Sequence, residues 1–496
     1  MNPLSRRDFL RGVAGTAVAA SLSGGLNAAP AKPARKPNVL FFFIDDLRVE
    51  LGCYGSMFGA ITPNVDALAK SGVRFDRNYC QFPLCNPSRA SLMTGRRPTS
   101  TGVLGNRANF RTLHPDWISL PQLFKENGYV SARAGKIFHG GLDDPKAWTV
   151  GGGTADGDGG AGGKTLAIPR GEGPPPPPYI AAPLAQDNAQ AAHSDRIVVL
   201  DGDGEGHPDF RTADKAIEYL RQYKDQPFFI GCGFVKPHSP PCAPQKFLDL
   251  YDPKKIQLTP DFAAWPTVPP GFPSAAIRKR NADLFIGRHA SEAEAREVIR
   301  AYIASTSWMD WNLGRVMAEL DRLGLRENTI VVLVADHGYQ LGEKGKWSKA
   351  GSLFEMGTRV PLIVAAPGAK GNGESCFRTV QSMDLYPTLA ELAGLPLPAG
   401  VEATTLTPLL KNPKARWDRP AYSVWSEDGK TLHGVAVRTE TWRYAEFSQD
   451  GADGAMLFDP KTDPLEMKNL ANDPKYASVR SELSQLTRAY AATLKV

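Results

Sequence analysis

Four places in the chain set ionisable side chains directly after a short apolar run. Asp45 and Asp46 follow "VLFFFI", and Lys136 and His139 follow "YVSARAG". Lys236 and His238 follow "FFIGCGF", and Asp336 and His337 follow "IVVLVA". Two further segments add Cys85 and Arg89, in "CNPSRASLMTG", and Lys349, in "GEKGKWSK". Each feature alone is also what a turn, a helix cap or a hydrogen-bonded polar residue looks like; together they describe one site. Asp45, Asp46 and Asp336 would repel one another unless a cation sat among them. Oxygen ligands favour a hard divalent ion, calcium ahead of magnesium where the geometry is loose. His337 either ligates that ion or contacts an anion bound to it. Arg89, Lys136, His139, His238 and Lys349 are cationic or able to transfer protons. A metal ringed by such groups suits a small, multiply charged oxyanion such as sulfate or phosphate.

Cys85 stands apart from any apolar repeat. Pro87 suits a first helical position, Ser88 to Met93 can continue the helix, and Thr94-Gly95 can end it. Unpaired N–H groups at a helix start attract negative charge, so a thiol there is expected to have a lowered pKa. The position suits an anion, a reactive residue, or both.

The elements that must position these groups follow from the runs themselves. Val39–Ile44, Phe228–Phe234, Ile330–Ala335 and Val360–Pro367 are short and rich in β-branched and aromatic residues. They read as strands buried on both faces, hence a largely parallel sheet covered by helices. Tyr129–Gly135 is a weaker fifth strand. Helical stretches lie between them at Asn64–Ser71, Leu120–Asn127, Arg211–Tyr223, Ala293–Leu323 and Met383–Ala393, which makes the fold α/β. Ligands of such sheets bind beyond the carboxyl ends of the strands, where the ionisable residues fall. The Gly- and Pro-rich stretch from about Val150 to Asp209 reads as a surface insertion near the entrance. A boundary is expected over Lys411–Asp418. Beyond it an antiparallel hairpin in "HGVAVRTETWRYAEF" and a closing helix over Tyr476–Leu494 predict a small α+β subdomain. The expected division is therefore 1–29, 38–410 with the insertion at 150–209, and 411–496.

The 496 residues are 42% hydrophobic and carry a net charge of +6, enough for one large domain with a smaller companion. Without Met1–Ala29 the balance is 55 basic against 51 acidic residues, or +4. No basic stripe with interleaved aromatics occurs, which argues against nucleic acid as a partner. The first 29 residues pair Arg6 and Arg7 ahead of Phe9-Leu10 and a small-residue apolar run, ending in Ala28-Ala29. They resemble a twin-arginine export signal, with a membrane anchor as the alternative. The expected destination is the periplasm or beyond, through the twin-arginine translocase, which carries proteins already folded. Six cysteines permit disulfides in such a compartment, with Cys232 and Cys242 as candidate partners.

"CNPSRASLMTG" resembles the signature of the type I sulfatases, Cys-x-Pro-Ser-Arg followed by Thr-Gly. Similarity to sulfatase segments extends through "PNVLFFFIDDLRVELGCYG", "LPQLFKENGYVSARAGKIFHGG", "FFIGCGFVKPHSPP" and "VADHGYQLGEKGKWSKAGSLFEMGTRVPLIV". "GKIFH", "KPH" and "LGEKGKWSK" look most like the iduronate-2-sulfatase branch. The chain departs from that branch at Val103-Leu104-Gly105. The resemblance implies an alkaline-phosphatase-like sheet and a formylglycine made from Cys85 by a formylglycine-generating enzyme. It implies a metal at Asp45, Asp46, Cys85, Asp336 and His337, and attack by the hydrated aldehyde, polarised by Arg89, on a sulfate ester. Lys136 and Lys349 would neutralise the sulfuryl oxygens. His238 would protonate the departing alcohol, with its pKa raised by the anion, and His139 would take a proton as sulfate leaves. Asn106, Arg107, Arg111 and Tyr339 are the candidate substrate contacts, with Trp347 a further sugar-stacking surface. The expected substrate is a sulfated carbohydrate, a uronate 2-O-sulfate first. The alternatives are phosphonate or phosphate monoester hydrolysis, and a non-catalytic protein that binds sulfated glycans.

Overall fold

The computed structural model describes residues 35–152, 163–168, 171–177, 185–448 and 450–494, with backbone alone for 185–188. The expected export signal lies outside the described residues. From Lys36 onward the chain forms one compact unit.

Seven strands make the central sheet: β1 (Asn38–Ile44), β2 (Val73–Tyr79), β3 (Val130–Gly135), β4 (Phe228–Phe234), β5 (Thr329–Ala335), β6 (Leu362–Ala365) and β7 (Ser375–Gln381). Their order is β7-β2-β6-β5-β1-β4-β3. β1 pairs in parallel with both β4 and β5, and β3 in parallel with β4. The carboxyl ends of β5, β1, β4 and β3 therefore lie side by side, as the four runs predict. β6 departs from the expected parallel arrangement: it is antiparallel to both β5 and β2. β2 and β7 were not foreseen. Their sequences, "VRFDRNY" and "SCFRTVQ", interrupt the apolar pattern with charges. In β2 those charges satisfy each other, Arg74 donating to Asp76 at 3.0 Å.

The unbroken apolar run of β1 follows from burial on two sides. Successive residues alternate between faces. Phe41 and Phe43 enter one core with Phe75, Phe229 and Leu92. Leu40, Phe42 and Ile44 enter the other with Leu333, Leu313 and Val316. Leu313 and Val316 belong to the long helix Glu292–Arg322, which starts at a capping box made by Ser291 and Glu294. That helix also reaches the strand end, because the Tyr302 hydroxyl donates to the Asp46 carbonyl at 2.6 Å. Among the described residues no helix is long and apolar enough to cross a membrane.

The insertion contains more structure than its composition suggests. Val198–Leu200 and Lys164–Thr165 join Cys242–Pro244 in a three-stranded sheet, and Ile197, Val198 and Leu200 are buried. The stretch 411–418, where a boundary is expected, packs closely: Trp417 is buried in the main core and its indole N–H donates to the Thr379 carbonyl. The expected hairpin is present. It lies within a four-stranded antiparallel sheet in the order Ala421–Trp425, Gly434–Arg438, Arg443–Phe447 and Ala455–Phe458, backed by the helix Ala477–Ala491. This sheet grips the loop ahead of Cys85: the Val424 N–H donates to the Gln81 carbonyl, the Ser423 hydroxyl to the Cys80 carbonyl, and Phe82 packs on Trp425. All six cysteines are free, so the pairing of Cys232 with Cys242 is not made. Cys232 instead sits within the sheet core.

Gly233 sets the spacing at the end of β4. A Cβ there would lie 2.0 Å from the Lys136 carbonyl oxygen. Gly233→Ala must therefore push the Lys136 turn away. Overpacking of this kind costs about 1–3 kcal/mol. Urea unfolding of the variant is expected to show a loss in that range together with reduced activity; unchanged stability and activity would mean that the turn yields freely.

Candidate active site

Three backbone hydrogen bonds fix the strand ends. The Asp45 N–H donates to the Phe234 carbonyl, Asp336 N–H to Ile44, and Lys136 N–H to Gly233. Consecutive residues of an extended chain would point to opposite faces. Asp46 escapes this by adopting a left-handed φ of 58°, a conformation uncommon for a residue other than glycine. Two contacts hold it there: its N–H donates to Asp336 Oδ1, and its carbonyl accepts from Tyr302. Both carboxylates thus turn into one buried space.

The signature helix runs from Cys85 to Thr94 and ends at Gly95 in the left-handed conformation. It starts two residues earlier than Pro87 suggests, so Cys85 is its first residue. Asn86 fastens that end, its amide donating to the carbonyls of Gly105 and Ala108. Cys85 and Arg89 lie one turn apart and face the same way. The Cys85 sulfur lies 3.2 Å from His337 Nε2 and 3.4 Å from Asp45 Oδ1. Its pKa is not lowered. Burial, with Asp45 beside it, pushes the thiol well above its ordinary value, outweighing the helix N-terminus.

One ligand atom from each of Asp45, Asp46, Cys85 and His337 lies within 4.8 Å of the others. His337 Nδ1 faces the Gly338 carbonyl at 3.0 Å, which makes Nδ1 the donor and leaves the Nε2 lone pair facing the carboxylates. Among the described residues, Asp46 Oδ1 is buried without a hydrogen-bond partner. Clustered carboxylates, one oxygen of them unsatisfied, fit a hard divalent cation. Asp336, also expected among the ligands, borders this group, its Oδ2 3.5 Å from His337 Nε2. Its Oδ1 accepts from the backbone N–H groups of Asp46 and His337, and its Oδ2 from Arg89 Nε at 2.9 Å.

The cations are placed against these carboxylates. Lys136 Nζ is 2.5 Å from Asp45 Oδ2. Arg89 spans the floor, with Nε on Asp336, Nη1 on the carbonyls of Lys136 and Ile137, and its plane over Phe43. Lys349 Nζ meets Asp46 Oδ2, His238 Nε2 and Asp283 Oδ1. Burial alone would raise Asp45, but Lys136 and Arg89 hold it well below the usual carboxylate range. Burial lifts Asp46 to about 6 in spite of His238 and Lys349.

His238 sits in the turn after β4. The Lys236 ammonium fixes that turn by donating to the carbonyls of His238 and Pro240, and Asp209 accepts from the Val235 and Lys236 N–H groups. His238 Nδ1 faces the Ser239 carbonyl at 2.7 Å, so Nε2 is the nitrogen turned to the site. Burial lowers the His238 pKa although Asp46 opposes it; the expected rise is not a property of the protein by itself. His139 is half-buried in the turn after β3, where its carbonyl accepts from the Leu142 N–H.

The expected substrate contacts divide. Asn106 and Arg107 are exposed beside the start of the signature helix, where Asn106 Oδ1 accepts from the Asn86 N–H. Arg111 is structural. Its donors are taken by both oxygens of Asp144, by Gln122 and by the carbonyls of Pro115 and Trp117. Tyr339 and Trp347 are buried, the Tyr339 hydroxyl donating to the Trp347 carbonyl. Neither offers a sugar a surface. Sequence reasoning missed Asp283, Tyr302, the Ser88 hydroxyl on the Asp336 carbonyl, and the supporting part played by Lys236. Asp283 lies in "RKRNADLF", where no local pattern marks it.

A buried acid cluster, clamped by lysines and an arginine at the carboxyl ends of a mixed, mostly parallel sheet, defines an alkaline-phosphatase-like hydrolase of oxyanion esters. Residues 37–395 match the sulfatase family, and residues 342–492 match the C-terminal region of N-sulphoglucosamine sulphohydrolase. The chain belongs to the sulfatase family, whose members hydrolyse sulfate esters. It is 33% identical to a sulfatase of Formosa agariphila, over 92% of this chain and 87% of that protein. It is 31% identical to human iduronate 2-sulfatase, over 88% of this chain and 91% of that one. The solved phosphonate monoester hydrolase of Agrobacterium radiobacter shares the fold, with a TM-score of 0.71 at 22% identity over 92% of this chain and 96% of the other.

Asp46 gives a test of cation binding. An unfolded aspartate titrates near ~3.9. In the cation-free protein the folded group is raised to about 6. Its contribution to stability is thus present below about pH 4 and lost as pH rises through 6. Asp46→Asn stays neutral and escapes that loss. In chelator, the variant's thermal midpoint relative to the parent is expected to be higher at pH 7.5 than at pH 4. Added calcium should raise the parent's midpoint and leave the variant's almost unmoved. Equal responses of the two proteins to calcium would place the cation elsewhere.

Proposed function

We infer that the protein is a carbohydrate sulfatase that works through a formylglycine at position 85 and a divalent cation, calcium first and magnesium second. A uronate 2-O-sulfate is the favoured substrate. The observation that carries the reading is the buried Cys85 sulfur, within hydrogen-bonding distance of His337 and Asp45 and flanked by Lys136 and Lys349. Similarity to human iduronate 2-sulfatase supports the uronate preference.

Asp45, Asp46, Asp336 and His337, with position 85, would hold the cation. A formylglycine hydrate there would supply one hydroxyl to attack sulfur and a second whose loss of a proton expels sulfate, and the cation would offset the charge. The chain's own groups do the rest. Arg89 keeps Asp336 and the Lys136 turn in register. Lys136 and Lys349 offer positive charge to the sulfuryl oxygens. His238 takes a proton at Nε2, the nitrogen facing Lys349, and gives it to the departing sugar oxygen. His139 accepts the proton of the second hydroxyl. Asn106 and Arg107 are the remaining candidates for the sugar.

The same reading includes a formylglycine-generating enzyme as maturation partner. It also includes export by the twin-arginine translocase to the periplasm or beyond, with residues 1–29 as the signal.

Two measurements test it. The tryptic peptide Asn78–Arg89 of active protein is expected to carry an aldehyde or its hydrate at position 85. Cys85→Ala should lower turnover of a 2-O-sulfated uronate disaccharide by more than about 10³-fold. Phosphonate or phosphate esters turned over faster than the sulfate would assign the chain to that chemistry instead. An unmodified thiol in fully active protein sinks the mechanism, and tight glycan binding without turnover by matured protein would indicate a binding protein.

Proton donation by His238 predicts a leaving-group effect. His238→Ala should slow the sugar sulfate about 10²- to 10⁴-fold. It should slow 4-nitrophenyl sulfate far less, because that phenolate leaves without a proton. Equal losses on both esters would remove His238 from the proton-donor role.

A further inference from the structure

The Lys349 ammonium carries three N–H donors, and three acceptors meet it. Asp46 Oδ2 and His238 Nε2 each lie at 3.0 Å, and Asp283 Oδ1 at 3.2 Å. Two of these have other work in the function inferred above. Asp46 belongs to the cluster with ligand-like spacing, and His238 exchanges a proton. Asp283 has neither task. It is 5% exposed, and its second oxygen, Oδ2, is buried without a hydrogen-bond partner among the described residues. Leaving a buried carboxylate oxygen without a donor costs stability, so folding alone does not account for the residue.

The segment that bears Asp283 is strapped to the one that bears Lys349. The buried Lys346 ammonium donates to the carbonyls of Arg278 and Arg280. The Asn281 amide donates to the Gly345 carbonyl, and its Oδ1 accepts from the Trp347 N–H. Phe285 packs on Trp347 with ring centroids 4.7 Å apart. The two segments are therefore tied together at several points.

We propose that Asp283 is the positioning residue of Lys349: of the three acceptors that meet the ammonium, it is the one whose task is to hold it in place. The strap through Lys346 and Asn281 keeps Asp283 itself in register. The inference rests on the reading of Lys349 as a group that meets the sulfuryl oxygens.

A double-mutant cycle tests it. Asp283→Ala is expected to lower kcat on the sulfate ester about 10- to 100-fold with KM changed less than about threefold. In the Cys85→Ala protein the same change should weaken calorimetric binding of inorganic sulfate about tenfold. Asp283→Asn keeps an oxygen acceptor in place and should recover most of both. In a Lys349→Met background, adding Asp283→Ala should alter neither quantity by more than about twofold, because the group it positions is gone. Full losses in that background, an asparagine variant no better than alanine, or sulfate bound as tightly without Asp283 would overturn the assignment. Should Asp283→Ala fail to fold, Lys346→Met carries the test. Combined with Asn281→Ala it cuts both ties of the strap without touching the site and should lower kcat about three- to tenfold; no loss overturns the proposal. A Lys349→Met enzyme as active as the parent would refute the role of Lys349 itself, which is a separate failure.

Discussion

Everything near the carboxyl ends of the central strands answers one electrostatic constraint. Asp45, Asp46 and Asp336 are all fully buried within a few ångströms of one another. A buried ion costs several kcal/mol unless it is paired and hydrogen-bonded. Each carboxylate has its counter-ion: Lys136 and Arg89 for Asp45, Arg89 for Asp336, Lys349 for Asp46. The pairing is complete enough to keep Asp45 ionised and incomplete enough to leave one oxygen of Asp46 without a partner among the described residues. That imbalance is what a cation and an anionic substrate together would relieve.

Supplying those counter-ions draws on distant parts of the chain. Arg89 comes from the signature helix, Lys136 from the turn after β3, and Lys349 from the loop after β5. The helix is held at its start by Asn86 on the 105–108 loop, and the loop leading into it is held by the C-terminal sheet. That sheet looks peripheral in sequence. Its strand Ala421–Trp425 nevertheless fastens Cys80 and Gln81, just ahead of Cys85. The small sheet is part of the support of the reactive position.

Much of this was legible from residue order because burial on both faces leaves an unmistakable apolar run. β1, β4 and β5 were legible for that reason, and the ionisable residues beyond them marked the site. Strands with charged residues in them were not: Arg74 in β2 pairs with Asp76 two residues on, and Arg378 in β7 pairs with the distant Glu440, and such charges break the apolar pattern. The reversed direction of β6 leaves no local trace at all. Among side chains, the strand-end and signature-helix groups were foreseen; Asp283 and Tyr302, which meet Lys349 and Asp46, were not, and Arg111, Tyr339 and Trp347 were assigned to substrate and are structural. An arginine whose donors are all satisfied by Asp144, Gln122 and backbone carbonyls looks in sequence like one that is free. The Cys85 thiol illustrates the same limit. Its helix position was legible; the desolvation that outweighs the helix end depends on the folded surroundings.

The depth of Cys85 also fixes an order of events. Its side chain is 2% exposed, and Asn86, Ser88 and Arg89 beside it are each tied down in the fold. A second protein that must grasp this stretch as an extended peptide finds nothing to hold once the helix has docked. Chemistry performed on the Cys85 sulfur by such a partner therefore belongs to the life of the chain before its core closes. The time taken to fold then sets how long that opportunity lasts, so a variant that folds faster could be more stable and yet yield fewer active molecules.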